Sequence, residues 1–76
     1  MTIAEANSPL AEGIRILIAR KGLKQTFVAE KAGLSPQELS DMLNGRKLIK
    51  ACDIPRIATV LGVKADEIYE AGKKGE

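Results

Sequence analysis

The sequence predicts an all-α fold, one compact domain of five short helices, and three observations carry that prediction. Apolar residues recur three and four positions apart along most of the chain, no stretch alternates polar and apolar residues as a half-buried strand does, and glycine or proline stands at the ends of the periodic runs. The first run opens at Ser8-Pro9, an N-cap followed by proline at the first helical position, and Leu10, Ile14, Leu17 and Ile18 repeat until Gly22. A short second helix follows, with Leu23 and Val28 placed to staple its start, Val28, Ala29 and Ala32 facing inward and Gly33 closing it.

Ser35-Pro36-Gln37-Glu38 starts a third helix, because a Ser N-cap, a Pro at N1 and a Glu at N3 form a capping box. Leu39, Met42 and Leu43 form its inner stripe, Asn44-Gly45 supplies a left-handed stop, and Gln37, Ser40, Asp41 and Asn44 are left on its outer face. After the basic stretch Arg46 to Lys50, a fourth helix begins between Asp53 and Pro55, turns Ile54, Ile57, Ala58 and Leu61 inward and ends at Gly62. A fifth covers Ala65 to Tyr69. Residues 1–7 are expected as a flexible N-terminal segment, 8–71 as the folded domain and 72–76 as a flexible tail.

A chain of 76 residues buries only roughly 60–65% of the surface its unfolded form exposes, yet an apolar share of 45% suffices for one core of Leu, Ile, Val and Ala. Cys52 is the sole cysteine and histidine is absent, which excludes an internal disulfide and a Cys/His zinc site. Cys52 reads as a half-buried small apolar residue rather than a redox sensor, and Phe27 and Tyr69 as packing residues rather than base-stacking platforms. No apolar run reaches the ~20 residues that span a bilayer and no leader pattern opens the chain, so the expected location is cytoplasmic, without membrane partner, cofactor, metal or small-molecule ligand. The net charge of +2 is uninformative, but Arg20 to Lys50 carries an excess of four positive charges while the rest of the chain is net negative. A basic middle between acidic flanks suits a polyanion; an ordinary solvated surface accounts for so modest an excess almost as well.

The joint between the second and third helices carries most of the functional information. Only Gly33 and Leu34 separate the end of one helix from the N-cap of the next, so the two must cross steeply and closely. Ala29 lies where the third helix passes, and Gly33 can take the positive φ of a sharp turn. Gln25, Ala29, Gly33, Leu39 and Met42 fall at the spacing of a DNA-binding helix-turn-helix.

From about Leu10 to Tyr69 the chain resembles the phage repressor/Cro-like (XRE) family of helix-turn-helix domains. The resemblance is carried by Leu23-Lys24-Gln25-Thr26, Val28-Ala29, Ala32-Gly33-Leu34-Ser35, Leu39, Asn44-Gly45-Arg46, Ile57-Ala58 and Leu61-Gly62-Val63. It implies five helices, a third helix in the major groove of double-stranded DNA, and Gln25 bonding a phosphate while bracing the reading residues. On that basis Pro36, Gln37, Ser40, Asp41 and Asn44 are the candidate base contacts, and Lys24, Gln25, Thr26, Ser35, Arg46, Lys47 and Lys50 the candidate phosphate contacts.

Two departures from the family pattern stand out. Lys24 replaces the Ser, Thr or Asn common before Gln25, losing an N-cap worth roughly 1 kcal/mol in exchange for a positive charge. Asp41 puts a carboxylate on the presumed reading face, where it either accepts from cytosine N4 or discourages wrong sequences. The function implied is a sequence-specific transcriptional regulator, a bacterial or phage repressor binding as a homodimer on a palindromic operator. The alternative is a protein-interaction module on the same scaffold, an antitoxin-like partner whose acidic third helix docks on a basic protein. Without histidine, a nucleophile–base pair or a metal cluster, an enzyme is not expected.

Overall fold

Apolar side chains at helical spacing can be buried only by bringing the helices together, and the structure, a computed structural model, does so with six of them over described residues 1–74. They are α1 (Ile3–Asn7), α2 (Leu10–Arg20), α3 (Gln25–Lys31), α4 (Pro36–Leu43), α5 (Asp53–Leu61) and α6 (Ala65–Lys74). The predicted first to fifth helices correspond to α2 to α6, with one more at the N-terminus. Ile14, Val28, Ala29, Leu39, Met42, Ile57 and Ile68 lie at the centre of one core to which α2 to α6 all contribute.

Four helices end alike. At the close of α3, Gly33 N–H donates to the Glu30 carbonyl at 3.1 Å and Leu34 N–H to the Ala29 carbonyl at 2.8 Å, with Gly33 at φ 78°. This is a Schellman closure, in which a left-handed residue lets the chain reverse while the last carbonyls stay bonded. The same pair of bonds closes α2 at Gly22-Leu23, α4 at Gly45-Arg46 and α5 at Gly62-Val63. Each redirects the chain immediately, which is how so short a sequence wraps five helices around one core.

The expectations for both ends of the chain are corrected. Residues 1–7 were expected as a flexible lead but contain α1, opened by a capping box in which Thr2 Oγ1 accepts from Glu5 N–H and Glu5 Oε1 from Thr2 N–H. The sequence signal was present as Thr2 and Glu5 three apart. Helix α2 starts one residue later than Ser8-Pro9 predicts, with Pro9 at the N-cap. The last helix runs through Lys74 instead of ending at Tyr69, so residues 72–74 are helical; Gly75 and Glu76, the rest of the expected tail, lie outside the described residues.

This extension has a packing cause in glycines within the helices. A Cβ on Gly13 would stand 1.9 Å from the Ile68 carbonyl oxygen, and one on Gly72 equally close to that of Pro9. Helices α2 and α6 therefore approach backbone to backbone at two points, and Ala71 and Gly72 are buried there. Three side-chain expectations change too. Cys52 is exposed, not half-buried, and Phe27 and Tyr69 are 44% and 43% exposed, each under a lysine ammonium (Lys31 and Lys73).

Gly13→Ala should lower stability by about 1–3 kcal/mol or more, since backbone must move to admit the methyl group. Ala29→Leu should cost a similar ~1–3 kcal/mol, Ala29 being wholly buried at the crossing of α3 and α4. Chemical denaturation of both variants checks this, and midpoints equal to the parent's would contradict the packing described.

Candidate nucleic-acid interface

Helix α4 is built as the sequence predicts. Ser35 Oγ accepts from Glu38 N–H at 3.1 Å, Glu38 Oε1 accepts from Ser35 N–H at 3.0 Å, and Pro36 fills the first helical position. The other carboxylate oxygen of Glu38, Oε2, accepts from Lys47 Nζ at 2.8 Å. One side chain thus ties the start of α4 to the loop that leaves its end. The Lys47 hydrogen bond, helped by the Ser35 N–H, lowers the Glu38 carboxyl from its ordinary 4.5 to about 2, and the same bond raises the Lys47 ammonium.

With Leu39, Met42 and Leu43 buried, the polar residues of α4 are left outside. They are bonded to one another one turn apart: Gln37 Nε2 donates to Asp41 Oδ1 at 2.8 Å, and Asn44 Nδ2 to Ser40 Oγ at 3.3 Å. Pro36, Gln37 and Asn44 are exposed, whereas Ser40 and Asp41 are half-buried. Asp41 also lies 3.9 Å from the Arg46 guanidinium, and its carbonyl accepts from both Arg46 and Lys47 N–H groups. Its carboxylate thus accepts the Gln37 hydrogen bond through Oδ1, with the Arg46 guanidinium loosely beside the same oxygen.

The sequence reading missed Arg15. From α2 its Nη2 donates to the Leu43 carbonyl at 2.7 Å and to Asn44 Oδ1 at 2.8 Å, satisfying a terminal carbonyl of α4 and aiming the Asn44 amide. A cation in mid-helix on an otherwise apolar segment was the available signal, but its target lies 28 residues away in sequence.

The candidate phosphate contacts divide into two groups. Lys24, Gln25 and Thr26 stand exposed at the start of α3, where Lys24 occupies the N-cap and makes no side-chain cap, as the departure from the family pattern implied. Ser35, Arg46, Lys47 and Lys50 flank α4. The structure separates Arg46, whose side chain is 71% exposed, from Lys47, whose charge is already paired with Glu38. Lys50 is exposed, and its backbone exchanges hydrogen bonds with buried Asp53 at the start of α5.

Residues 9–71 match a family described as "Helix-turn-helix domain". The chain belongs to that helix-turn-helix family. The spacing of Gln25, Ala29, Gly33, Leu39 and Met42 read from the sequence is borne out at this level, with α3 and α4 as the motif's two helices. Comparison with curated proteins finds no match. Among solved structures, the crystal structure of the clp gene regulator ClgR from C. glutamicum is similar with a TM-score of 0.83 over 92% of this chain and 91% of that one. At 23% identity the likeness is one of fold. No described helix of this helix-turn-helix chain is long and apolar enough to cross a membrane.

Because ionised Glu38 is favoured in the folded state, its contribution is complete above the ordinary carboxylate range and is lost as pH falls from about 5 towards about 2. Glu38→Gln keeps a capping amide but no charge. Its melting temperature should lie below the parent's at pH 7 and converge on it near pH 2, as thermal melts across that range would show; parallel curves would remove Glu38 from the acid response.

Proposed function

We propose that this helix-turn-helix domain is a sequence-specific duplex DNA-binding transcriptional regulator, a repressor of bacterial or phage origin acting in the cytoplasm. The observation that carries the reading is the outward face of α4, a row of polar side chains on a helix capped at both ends and followed directly by an exposed Arg46. In the helix-turn-helix arrangement the second helix enters the major groove, where base edges present donors and acceptors that such side chains match. Gln37 and Asn44 would pair with adenine N6 and N7 or other base edges, Pro36 would pack at the groove's entrance, and Ser40 and Asp41 would lie deeper. Lys24, Gln25, Thr26, Ser35, Arg46, Lys47 and Lys50 would meet phosphates and fix the register. One module touches few base pairs, so binding is proposed as a homodimer on a palindromic operator.

Affinity for any duplex should fall with salt at a log–log slope of roughly −3 to −6 for a monomer. A flat dependence would favour the protein-docking alternative. Arg46→Ala should weaken specific and random duplex alike by roughly 0.5–1.5 kcal/mol, because a phosphate contact positions without reading sequence. Loss confined to the operator would place Arg46 among the reading residues instead.

Of the two roles open to Asp41, its engagement by Gln37 and Arg46 supports restraint of non-specific binding over acceptance from cytosine. Asp41→Asn retains an acceptor for Gln37 and drops the charge. It should tighten random duplex roughly 3- to 8-fold at 0.1 M salt, and the operator less, so that selectivity falls. Weaker operator binding with relaxed preference at one base pair would establish the cytosine contact.

A further inference from the structure

Helix α1 is unlike the other five. Ile3 to Ala6 are all exposed, Ile3 at 41%, so the helix lends no apolar side chain to the buried core, and five residues cannot hold a helix in water unaided. Its last residue, Asn7, is only 1% exposed and uses its whole amide. The Nδ2 group donates to the Met42 carbonyl at 2.8 Å and to the Lys47 carbonyl at 2.9 Å, and Oδ1 accepts from Ile49 N–H at 2.9 Å. Beside it, Ala4 lies so close to Gly45 that a Cβ there would come within 2.7 Å of the Ala4 Cβ.

These bonds all reach one place. Met42 is in the last turn of α4, and Lys47 and Ile49 belong to the basic loop that follows. The loop forms no regular element of its own, and its other anchors are the Asp41 carbonyl, the Glu38 carboxylate, buried Ile49 and the Lys50–Asp53 exchange. We infer that Asn7 is a positioning residue for the DNA backbone contacts, a latch through which the N-terminal helix holds the Arg46–Lys50 loop in the shape that offers its cations to the duplex. The inference rests on the DNA-binding reading above and adds to it a residue 39 positions from Arg46 that touches no nucleic acid. Without the latch, Met42 and Lys47 carbonyls and the Ile49 N–H lose buried partners, and the loop must open to water to satisfy them. A loop that is binding-competent for only a fraction of the time weakens apparent affinity by that fraction, equally for every sequence.

The test pairs Asn7→Ala with Asn7→Asp, the second keeping the shape and the acceptor for Ile49 while removing both donors. Amide exchange and binding to operator and random duplex are measured for the full chain across a salt series. Expected are lost protection at Ile49 with protection retained at Ile14 and Ile57, and affinity reduced about 5- to 30-fold on both duplexes. The salt slope should stay that of the parent, because no charge on the loop has been removed; Asn7→Asp should be at least as impaired as Asn7→Ala. Parent affinity in either variant, loss confined to the operator, or protection lost at Ile14 and Ile57 together with Ile49 would overturn the assignment. If the parent itself binds no duplex, the functional reading falls and this one with it; if only the variants behave as the parent does, the latch alone is wrong.

Discussion

The turn between α3 and α4 is the constraint on which the rest of the structure depends. Gly33 at φ 78° lets Leu34 N–H reach back to the Ala29 carbonyl, and the next residue, Ser35, already caps α4. A side chain at Gly33 would meet nothing closer than the Arg56 guanidinium at 3.9 Å, so the demand for glycine is conformational rather than spatial. With no slack in the connection, the crossing of the two helices is set by what lies between them, Ala29 and Leu39, both wholly buried. The outward face of α4 then follows, since burying Leu39, Met42 and Leu43 leaves only one side of the helix for Gln37, Ser40, Asp41 and Asn44.

Around that crossing, the structure fixes α4 by its ends. Its start is held by the Ser35–Glu38 box, and Glu38 carries the restraint on to Lys47; its end is held by Arg15 at Leu43 and by Asn7 at Met42. Terminal carbonyls of a helix need partners, and here cationic and amide side chains from two other helices supply them. The outer side chains are meanwhile bonded in pairs, which limits their rotamers before any ligand arrives. A preformed face of this kind loses less conformational freedom on binding than a row of free side chains would.

The charge arrangement is more economical than the sequence implies. Of the basic residues near the end of α4, Lys47 is neutralised by Glu38 and Arg46 is only loosely associated with Asp41, at 3.9 Å and largely in water. The positive excess of the middle segment is therefore presented by Arg46 and Lys50 after α4 and by exposed Arg20, Lys21, Lys24 and Lys31 at the end of α2 and the two ends of α3. In the proposed DNA-binding role, such a surface would offer modest non-specific attraction and leave selectivity to the α4 face.

The sequence by itself determined what depends on neighbours close along the chain. Helical periodicity, the Ser35-to-Glu38 box, the glycine stops at Gly22, Gly33, Gly45 and Gly62, and the helix-turn-helix spacing are all encoded within a few residues, and all stand in the structure. Even α1 was legible in principle, through Thr2 and Glu5, although a helix without an apolar stripe gave periodicity nothing to detect. Only the tertiary structure decided which side chains meet across long separations. Asn7 reaches Ile49, Arg15 reaches Asn44, and Gly13 and Gly72 admit foreign backbone carbonyls, none of which has a period, a cap or a spacing to betray it. The reason is physical: a cap or a turn is satisfied by the chain's own next residues, whereas a buried amide or a missing Cβ has meaning only once another helix has arrived beside it.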